Sequence, residues 1–225
     1  MPVTGRALKD FWHNTKNART GKDVQLHADV KEILFTSEQI KGRIQELGRM
    51  ISSDYREKTL VLVGILNGAK LFLSDLLAAL DLPVFHDLIE LSSYGQSSVS
   101  SGTVHVLKDV ALDISGKDVL LVEDIVDTGS TLHSAIEHLR SRKPGSLKTC
   151  ALLNKQTKRS VAITPDYYGF TIPDLFVVGY GLDYAENYRE LPYIGVLKEI
   201  SDQCLVVSDP KKKQKTTDNK TRVSS

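Results

Sequence analysis

Residues 119–131, Val-Leu-Leu-Val-Glu-Asp-Ile-Val-Asp-Thr-Gly-Ser-Thr, decide the fold of this chain. The first four residues of this stretch, 119–122, are all apolar and predict a strand that is buried on both faces, as in a parallel sheet. Beyond the run, apolar residues recur at helical spacing, at Leu132, Ile136 and Leu139. The stretch therefore predicts a strand, a short loop and a helix, which is the repeating unit of an α/β fold.

Three carboxylates and a run of small residues separate this strand from the helix. Glu123 and Asp124 come where the strand is expected to leave the sheet, and Asp127 precedes the run Thr128–Thr131. Free backbone N–H groups at a helix N-terminus, aided by the helix dipole and nearby hydroxyls, bind phosphate. Because carboxylates repel a bare phosphate, the ligand should also offer sugar hydroxyls or bring a divalent cation. The alternative is an ordinary turn whose acids cap the helix.

Composition and charge set the class of protein. The 225 residues are 41% hydrophobic with a net charge of +1, which favours one globular domain and argues against nucleic-acid binding. Two cysteines, Cys150 and Cys204, suit a reducing compartment, and no apolar stretch approaches the ~20 residues of a membrane span. We expect a cytoplasmic protein with an N-terminal extension (1–30), one globular domain (31–205) and a disordered basic tail (206–225).

Apolar runs alternate with helical patterns along the domain. Thr36 and Gln39 resemble a capping box before an apolar helical stripe. Further strands are expected at 60–65, 84–91, 103–107, 147–153, 175–180 and 193–197. The pattern predicts a mostly parallel twisted sheet flanked by helices, in which ligands bind beyond the carboxyl ends of the strands. Four polar residues are expected at or just past such ends: Asn67, Glu123, Lys155 and Asp183.

The spacing of two acids, two apolar residues, Asp-Thr-Gly and a hydroxyl residue resembles the signature of the type I phosphoribosyltransferases. Over about residues 30–200 the chain resembles one branch, the hypoxanthine-guanine phosphoribosyltransferases, through these segments: Leu66-Asn67-Gly68, Ser92-Ser93-Tyr94-Gly95, Lys155, Phe176-Val177-Val178-Gly179-Tyr180, Leu182-Asp183-Tyr184 and Tyr188-Arg189. The resemblance implies the type I fold, with a small hood formed by N- and C-terminal segments. It also implies a homodimer or homotetramer with no nucleic-acid or membrane partner.

The reaction that the resemblance implies joins a 6-oxopurine, hypoxanthine or guanine, to 5-phosphoribosyl pyrophosphate and yields IMP or GMP and pyrophosphate. Asp127 would be the general acid/base on purine N7, although it could instead cap the next helix. Glu123 and Asp124 would hold the ribose hydroxyls directly or through Mg²⁺. Four loop residues would bind the 5-phosphate: Thr128, Gly129, Ser130 and Thr131.

The leaving pyrophosphate would contact a second loop. Leu66, Asn67 and Gly68 resemble the family's pyrophosphate loop, which contains a non-proline cis peptide, here expected between Leu66 and Asn67. Many family members carry lysine where this chain has Asn67, so the site has one positive charge fewer unless Lys70 compensates. The alternative for the whole loop is an ordinary strand–helix turn. Arg189 would be the other pyrophosphate contact, with an exposed structural ion pair as the alternative.

The remaining site residues would lie around the base. Lys155 has only donors and suits an acceptor oxygen at C6, although a lone lysine is usually just solvated. Phe176 would stack on the purine unless it belongs to the core, and main-chain groups near Val177 and Asp183 would meet the opposite edge. Asp183 would also bind a second Mg²⁺. Ser93 and Tyr94 would belong to a lid over the reacting centre.

Two other classes of protein share parts of this pattern. A non-catalytic regulator with the phosphoribosyltransferase fold would keep the phosphate loop but lose the base or the purine site, whereas Asp127, Lys155 and Asp183 are present here. A phospho-receiver domain would carry its acid pair after the first strand, and it would leave the Thr-Gly-Ser-Thr loop unexplained. A xanthine-preferring enzyme is the alternative that the residues leave open.

Overall fold

The computed structural model describes residues 25–93, 104–155 and 159–198. Two sheets and three helices are formed within these ranges. In chain order the elements are β1 (Val30–Phe35), α1 (Ser37–Asp54), β2 (Leu60–Leu66), α2 (Lys70–Ala79), β3 (Val84–Ser93), β4 (Val104–Lys108), β5 (Asp118–Val126), α3 (Ser130–Ser141), β6 (Ser146–Lys155), β7 (Tyr167–Ile172), β8 (Val177–Val178) and β9 (Ile194–Leu197).

The larger sheet has six strands in the order β4-β3-β2-β5-β6-β7. Strands β3, β2, β5, β6 and β7 are parallel to one another, and β4 pairs antiparallel with β3 at one edge. This is the mostly parallel sheet that the sequence predicts. The antiparallel pair also confirms the predicted return of the chain after β3.

Alternate residues of the central strands supply two cores, one on each face of this sheet. Leu60 and Leu62 of β2 pack on the side of α1 and α2, together with Leu120 and Val122 of β5. The intervening residues pack against α3: Val61, Val63, Val119 and Leu121. Because both faces are covered, the strands read as continuous apolar runs instead of alternating ones.

The first and third helices begin and pack as their sequences predict. The Thr36 hydroxyl accepts from the backbone N–H of Gln39, and the side-chain oxygen of Gln39 accepts from the backbone N–H of Thr36, so the capping box is confirmed. The apolar positions predicted for α3 are buried against the sheet: Leu132, Ile136 and Leu139. None of the described helices is long and apolar enough to cross a membrane.

The smaller sheet is the predicted hood. Its strand order is β1-β9-β8, with antiparallel pairing, so it joins the beginning and the end of the described chain. The strand predicted at 175–180 is wrong in length, because β8 contains only Val177 and Val178. Gly179, Tyr180 and Gly181 all have positive φ angles, which turn the backbone away from β9.

Three further strands differ from the sequence prediction. β1 and β7 were not predicted; β7 is a short edge strand that contains Gly169 and pairs only with β6. β5 continues to Val126, so Glu123 and Asp124 lie inside a strand. Pairing of β5 with β2 stops at Val122, whereas its pairing with β6 continues to Val126. The acid pair therefore lies where β5 has left one neighbour and still holds the other.

The domain limits at 30 and 205 stay a prediction. The N-terminal extension lies outside the described residues up to position 24, and the basic tail 206–225 lies wholly outside them.

Candidate active site

Three adjacent parallel strands, β2, β5 and β6, end on the same edge of the sheet and bring the predicted site residues to it. Asn67 follows β2, Asp127 follows β5, and Lys155 is the last residue of β6. Asp183 does not follow a strand of this sheet as expected. It lies in the turn after β8 of the hood, where its ion-pair partner Arg189 is close enough to act on Asp124.

Lys155 and Asp127 form the central contact. Lys155 Nζ lies 3.1 Å from Asp127 Oδ2 and 4.0 Å from a carboxylate oxygen of Asp174. Lys155 is only 6% exposed, so its charge is withdrawn from water and needs a partner. The sequence reading of Lys155 as a solvated surface lysine is therefore wrong. Asp127 Oδ1 is buried and has no hydrogen-bond partner.

The loop after Asp127 has the shape of an anion site. Gly129 has φ of +86°, a left-handed conformation that side chains disfavour, and directly precedes α3. No side chain caps the N-terminus of this helix, so its backbone N–H groups stay available to a ligand. The hydroxyl of Thr128 lies 3.4 Å from both the hydroxyl and the backbone N of Ser130. Asp127 is not the N-cap, so that alternative is wrong.

The acid pair on β5 lies in surroundings that disfavour its charged form, with Glu123 buried and Asp124 partly buried. Burial, together with the neighbouring charge of Asp124, raises the pKa of Glu123 well above its usual range. Burial also raises the pKa of Asp124, although the positive charge of Arg189 acts in the opposite direction. Glu123 Oε2 is buried without a partner. Two such carboxylates are poised to bind hydroxyls or a cation, which would relieve their repulsion.

The Leu66-Asn67-Gly68 loop packs directly against this acid pair. The peptide bond between Leu66 and Asn67 is cis, as expected. A Cβ atom at Gly68 would lie 1.7 Å from Asp124 Oδ2, so only glycine allows the carboxylate to approach the loop. On the other side, a Cβ at Gly181 would lie 2.7 Å from the carbonyl oxygen of Gly68. The loop is therefore held between β5 and the turn after β8.

Arg189 ties that turn together. Its Nη2 lies 2.9 Å from Asp183 Oδ1 and its Nη1 donates to the carbonyl of Gly181 at 2.8 Å. The other oxygen of Asp183 accepts from the backbone N–H of Glu186. An ion pair at Arg189, the structural alternative, is thus present. Because the pair is partly exposed and its charge reaches Asp124, a ligand role for Arg189 stays a prediction.

Phe176 stands apart from these contacts. Its ring is 54% exposed and meets Tyr184 edge-to-face, with 5.3 Å between the ring centroids. It lines a cavity of about 660 Å³ together with Asp174, which also lies near Lys155. The reading of Phe176 as a core residue is therefore wrong. Val177, its neighbour, is buried in β8.

Of the two predicted lid residues, only Ser93 lies within the described residues. Ser93 ends β3, and Tyr94 lies outside the described residues. Their predicted role as a lid stays a prediction.

Sequence reasoning missed three residues of this site. Asp174 accompanies Lys155, Asn154 precedes it, and Arg159 binds the side chain of Asn154. Asp174 follows β7, which was not predicted, and Arg159 lies in the connection between β6 and β7. No spacing in the sequence identifies them.

Replacing Glu123 with glutamine is expected to stabilise the ligand-free protein at pH 8. A carboxyl whose folded-state pKa is raised penalises folding as pH rises above its unfolded value, about 4.5, and glutamine removes that penalty. The melting temperature should rise by ~2–4 °C for each kcal/mol relieved. The difference should shrink towards pH 5, where the folded parent keeps its proton. Glu137→Gln, at an exposed glutamate on α3, is the control. An equal rise in melting temperature in that variant, or a lower melting temperature in Glu123→Gln, would contradict the raised pKa of Glu123.

A protein-family model, curated relatives and solved structures all resemble this chain over most of the described residues. Residues 31–185 match the family model described as phosphoribosyl transferase domain. The chain is 50% identical over 173 residues to a hypoxanthine-guanine phosphoribosyltransferase of Dictyostelium discoideum, covering 75% of this chain and 96% of that protein. A bifunctional protein TilS/HprT of Listeria innocua is 44% identical over 178 residues, and the chain spans 28% of its length. The crystal structure of a hypoxanthine phosphoribosyltransferase from Staphylococcus aureus superimposes with a TM-score of 0.75 at 47% identity, covering 79% of this chain and 97% of that one.

Proposed function

Since the chain belongs to the phosphoribosyl transferase family, we propose that it joins hypoxanthine or guanine to 5-phosphoribosyl pyrophosphate, giving IMP or GMP and pyrophosphate. Relatives matched over nearly their whole length carry the name of this activity, which disfavours a non-catalytic regulator. The single observation that carries the choice of substrate is the 3.1 Å contact between Lys155 Nζ and Asp127 Oδ2.

This pair matches one edge of a 6-oxopurine. Atoms O6 and N7 are neighbours on that edge, and adenine replaces the acceptor O6 with a donor amino group. Lys155 can only donate, so it suits O6 and disfavours adenine. Asp127 can accept the proton of N7–H beside it. When the base enters, Lys155 would exchange its ion pair with Asp127 for a bond to O6.

Proton transfer at N7 is the task of Asp127 in this reaction. As the base attacks C1 of the ribose, the purine loses a proton, and Asp127 Oδ2 would take it. Its negative charge also stabilises the positive charge that develops on the sugar as pyrophosphate leaves. Phe176 would stack on the purine ring, with main-chain groups at Val177 and the turn containing Asp183 along the opposite edge.

The sugar phosphate would lie across the acid pair, Glu123 and Asp124, and the loop Thr128–Thr131, which we call the anion loop. Backbone N–H groups and hydroxyls of Thr128–Thr131 would bind the 5-phosphate. Glu123 and Asp124 would accept hydrogen bonds from the ribose hydroxyls. Backbone groups of Leu66-Asn67-Gly68 and the guanidinium of Arg189 would bind the pyrophosphate.

The donor set fits Mg²⁺ shared with substrate. Among the described residues, no group of three or more His, Cys, Asp or Glu side chains is arranged to hold a metal ion. Mg²⁺ often takes only one or two carboxylates from a protein and completes its shell with phosphate and water oxygens. Glu123, whose buried oxygen lacks a partner, and Asp124 would hold one ion, and Asp183 a second. Bound Mg²⁺ would neutralise charge on the leaving pyrophosphate.

Turnover of separate bases tests the proposed activity. The purified protein is mixed with phosphoribosyl pyrophosphate, Mg²⁺ and hypoxanthine, guanine, xanthine or adenine, and nucleotide formation is followed by absorbance. We expect turnover of hypoxanthine and guanine and almost none of adenine. A strong preference for xanthine would replace the proposal by its closest alternative, and no turnover of any base would refute it.

Lys155→Ala is expected to weaken binding of hypoxanthine and guanine by ~1.5–3 kcal/mol, the range for a hydrogen bond to a charged group. Affinity for phosphoribosyl pyrophosphate should change much less, because the contact lies on the base side. Adenine offers Lys155 no acceptor, so its weak use should hardly change and the purine preference should flatten without reversing. Michaelis constants are compared with those of Lys41→Ala, an exposed lysine on α1. Unchanged constants for the 6-oxopurines would remove Lys155 from the base site.

Location and assembly are part of the same proposal. The buried free thiol of Cys150 suits a reducing cytoplasm. Phe85 and Leu107, on β3 and β4, are more than half exposed, and self-association would cover such side chains. Sedimentation of the full chain would distinguish a homodimer from a homotetramer.

A further inference from the structure

The segment from Arg159 to Ile163 supports the anion loop from behind. The backbone N–H groups of Ser160 and Val161 both donate to the carbonyl of Thr128, at 2.9 and 3.2 Å. A Cβ atom at Gly129 would lie 2.7 Å from Ile163 Cγ2 and 3.5 Å from Arg159 Nη1. The loop therefore has no free space on this side, and its conformation depends on the segment behind it.

The guanidinium of Arg159 lies between this loop and the end of β6. Its Nη2 donates to Asn154 Oδ1, and Asn154 pairs with Val126, the residue before Asp127. Its Nη1 is buried and has no hydrogen-bond partner. Arg159 is thus fixed at one nitrogen and leaves the other free beside the loop.

Asp127 carries the matching unused group. Its Oδ2 binds Lys155, whereas its Oδ1 is buried without a partner. The two groups also act on one another electrostatically, since burial lowers the pKa of Arg159 while the charge of Asp127 opposes that change. A buried donor and a buried acceptor, each without a partner and of opposite charge, gain strongly from forming one bond.

We infer that Arg159 is a positioning residue for Asp127, to whose Oδ1 its Nη1 donates when Lys155 turns to the base. The inference rests on the proposed function. Lys155 is the only charged partner that the structure gives the Asp127 carboxylate at hydrogen-bond distance among the described residues. Without a second partner, Asp127 would be free to rotate when Lys155 leaves. Arg159 keeps Oδ2 directed at N7 during proton transfer.

A double-mutant cycle separates this role from general support of the loop. Turnover is measured for the parent, Arg159→Ala, Asp127→Asn and the double variant, with hypoxanthine and phosphoribosyl pyrophosphate saturating. Arg159→Ala should lower kcat by ~10–100-fold, as expected for a misplaced reacting group. Affinity for phosphoribosyl pyrophosphate, measured by calorimetry, should stay within a few-fold of the parent. Arg140→Ala, at an exposed arginine of α3, is the matched control and should behave as the parent.

The effect of Arg159→Ala in the two backgrounds tests the inference. In the Asp127→Asn background, Arg159→Ala should have almost no further effect on kcat, because no proton acceptor is left to position. Additive losses, an unchanged kcat in Arg159→Ala, or a loss confined to phosphoribosyl pyrophosphate affinity would each overturn the inference. If Arg159→Ala does not fold, Arg159→Lys, which keeps the charge but loses the fork, enters the same cycle under the same criterion. An inactive parent would instead refute the proposed function.

Discussion

Asp127→Asn is expected to lower turnover by ~10²–10⁴-fold, the range for losing a positioned general acid or base. Asparagine keeps the shape of the side chain and can still accept from Lys155, but it cannot take the N7 proton. The backbone of the anion loop is unchanged, so affinity for phosphoribosyl pyrophosphate should stay within a few-fold of the parent. Steady-state kinetics with hypoxanthine, together with calorimetric titration of phosphoribosyl pyrophosphate, provide both quantities.

Asp109→Asn is the matched control for this substitution. Asp109 also contacts basic side chains, His138 and Arg142, but these lie at the other end of α3 from the anion loop. Its replacement should leave turnover near that of the parent. Near-normal turnover of Asp127→Asn would remove Asp127 from the chemistry.

Removal of divalent cations is expected to abolish turnover completely and reversibly. The leaving pyrophosphate carries several negative charges, and in the proposed site Arg189 and backbone N–H groups would bind it, whereas Asn67 is neutral. Excess chelator should therefore stop the reaction, and Mg²⁺ or Mn²⁺ added beyond the chelator should restore it. Full activity in excess chelator would refute the assigned metal roles of Glu123, Asp124 and Asp183.

A melting curve with and without chelator is the control for that experiment. Because no described group of acidic side chains forms a metal cage of its own, the ligand-free fold should not depend on the ion. The melting temperature should be the same in both conditions. A large shift would assign the cation a structural role in place of a catalytic one.

The central sheet could be predicted from sequence because its strands are buried on both faces. A run such as 119–122 is short and apolar at every position, which favours a strand of a parallel sheet with helices on both faces. The capping box at Thr36 is similarly local, since its two hydrogen bonds join residues three apart. These features depend on neighbours in the chain and not on the rest of the fold.

The hood and the edge strand could not be predicted in the same way. β8 has only two paired residues, and its length is set by the positive φ angles at Gly179, Tyr180 and Gly181. β7 is a strand only because β6 lies beside it. An element whose pairing comes from distant residues leaves little periodicity in its own sequence.

For the candidate site too, the groups that could be predicted are those whose residues are neighbours in the chain. The resemblance of residues 123–131 to the family signature predicts its phosphate-binding and acidic groups, because these residues are neighbours in the chain. The burial of Lys155 and its contact with Asp127 come from residues 28 positions apart, and the support of the loop by Arg159 depends on the path taken after β6. Sequence patterns reveal groups that share one loop, whereas groups joined across strands are found only in three dimensions.

Competition between bases tests the central claim most directly. The protein is given phosphoribosyl pyrophosphate, Mg²⁺ and an equimolar mixture of hypoxanthine, guanine and adenine, and the nucleotides formed early in the reaction are identified by mass spectrometry. Their ratio reports the relative kcat/KM of the three bases in one sample. If Lys155 and Asp127 read O6 and N7, IMP and GMP will form together with an equal amount of pyrophosphate, and AMP will be nearly absent. AMP as the main product, or pyrophosphate released without nucleotide, would contradict the account.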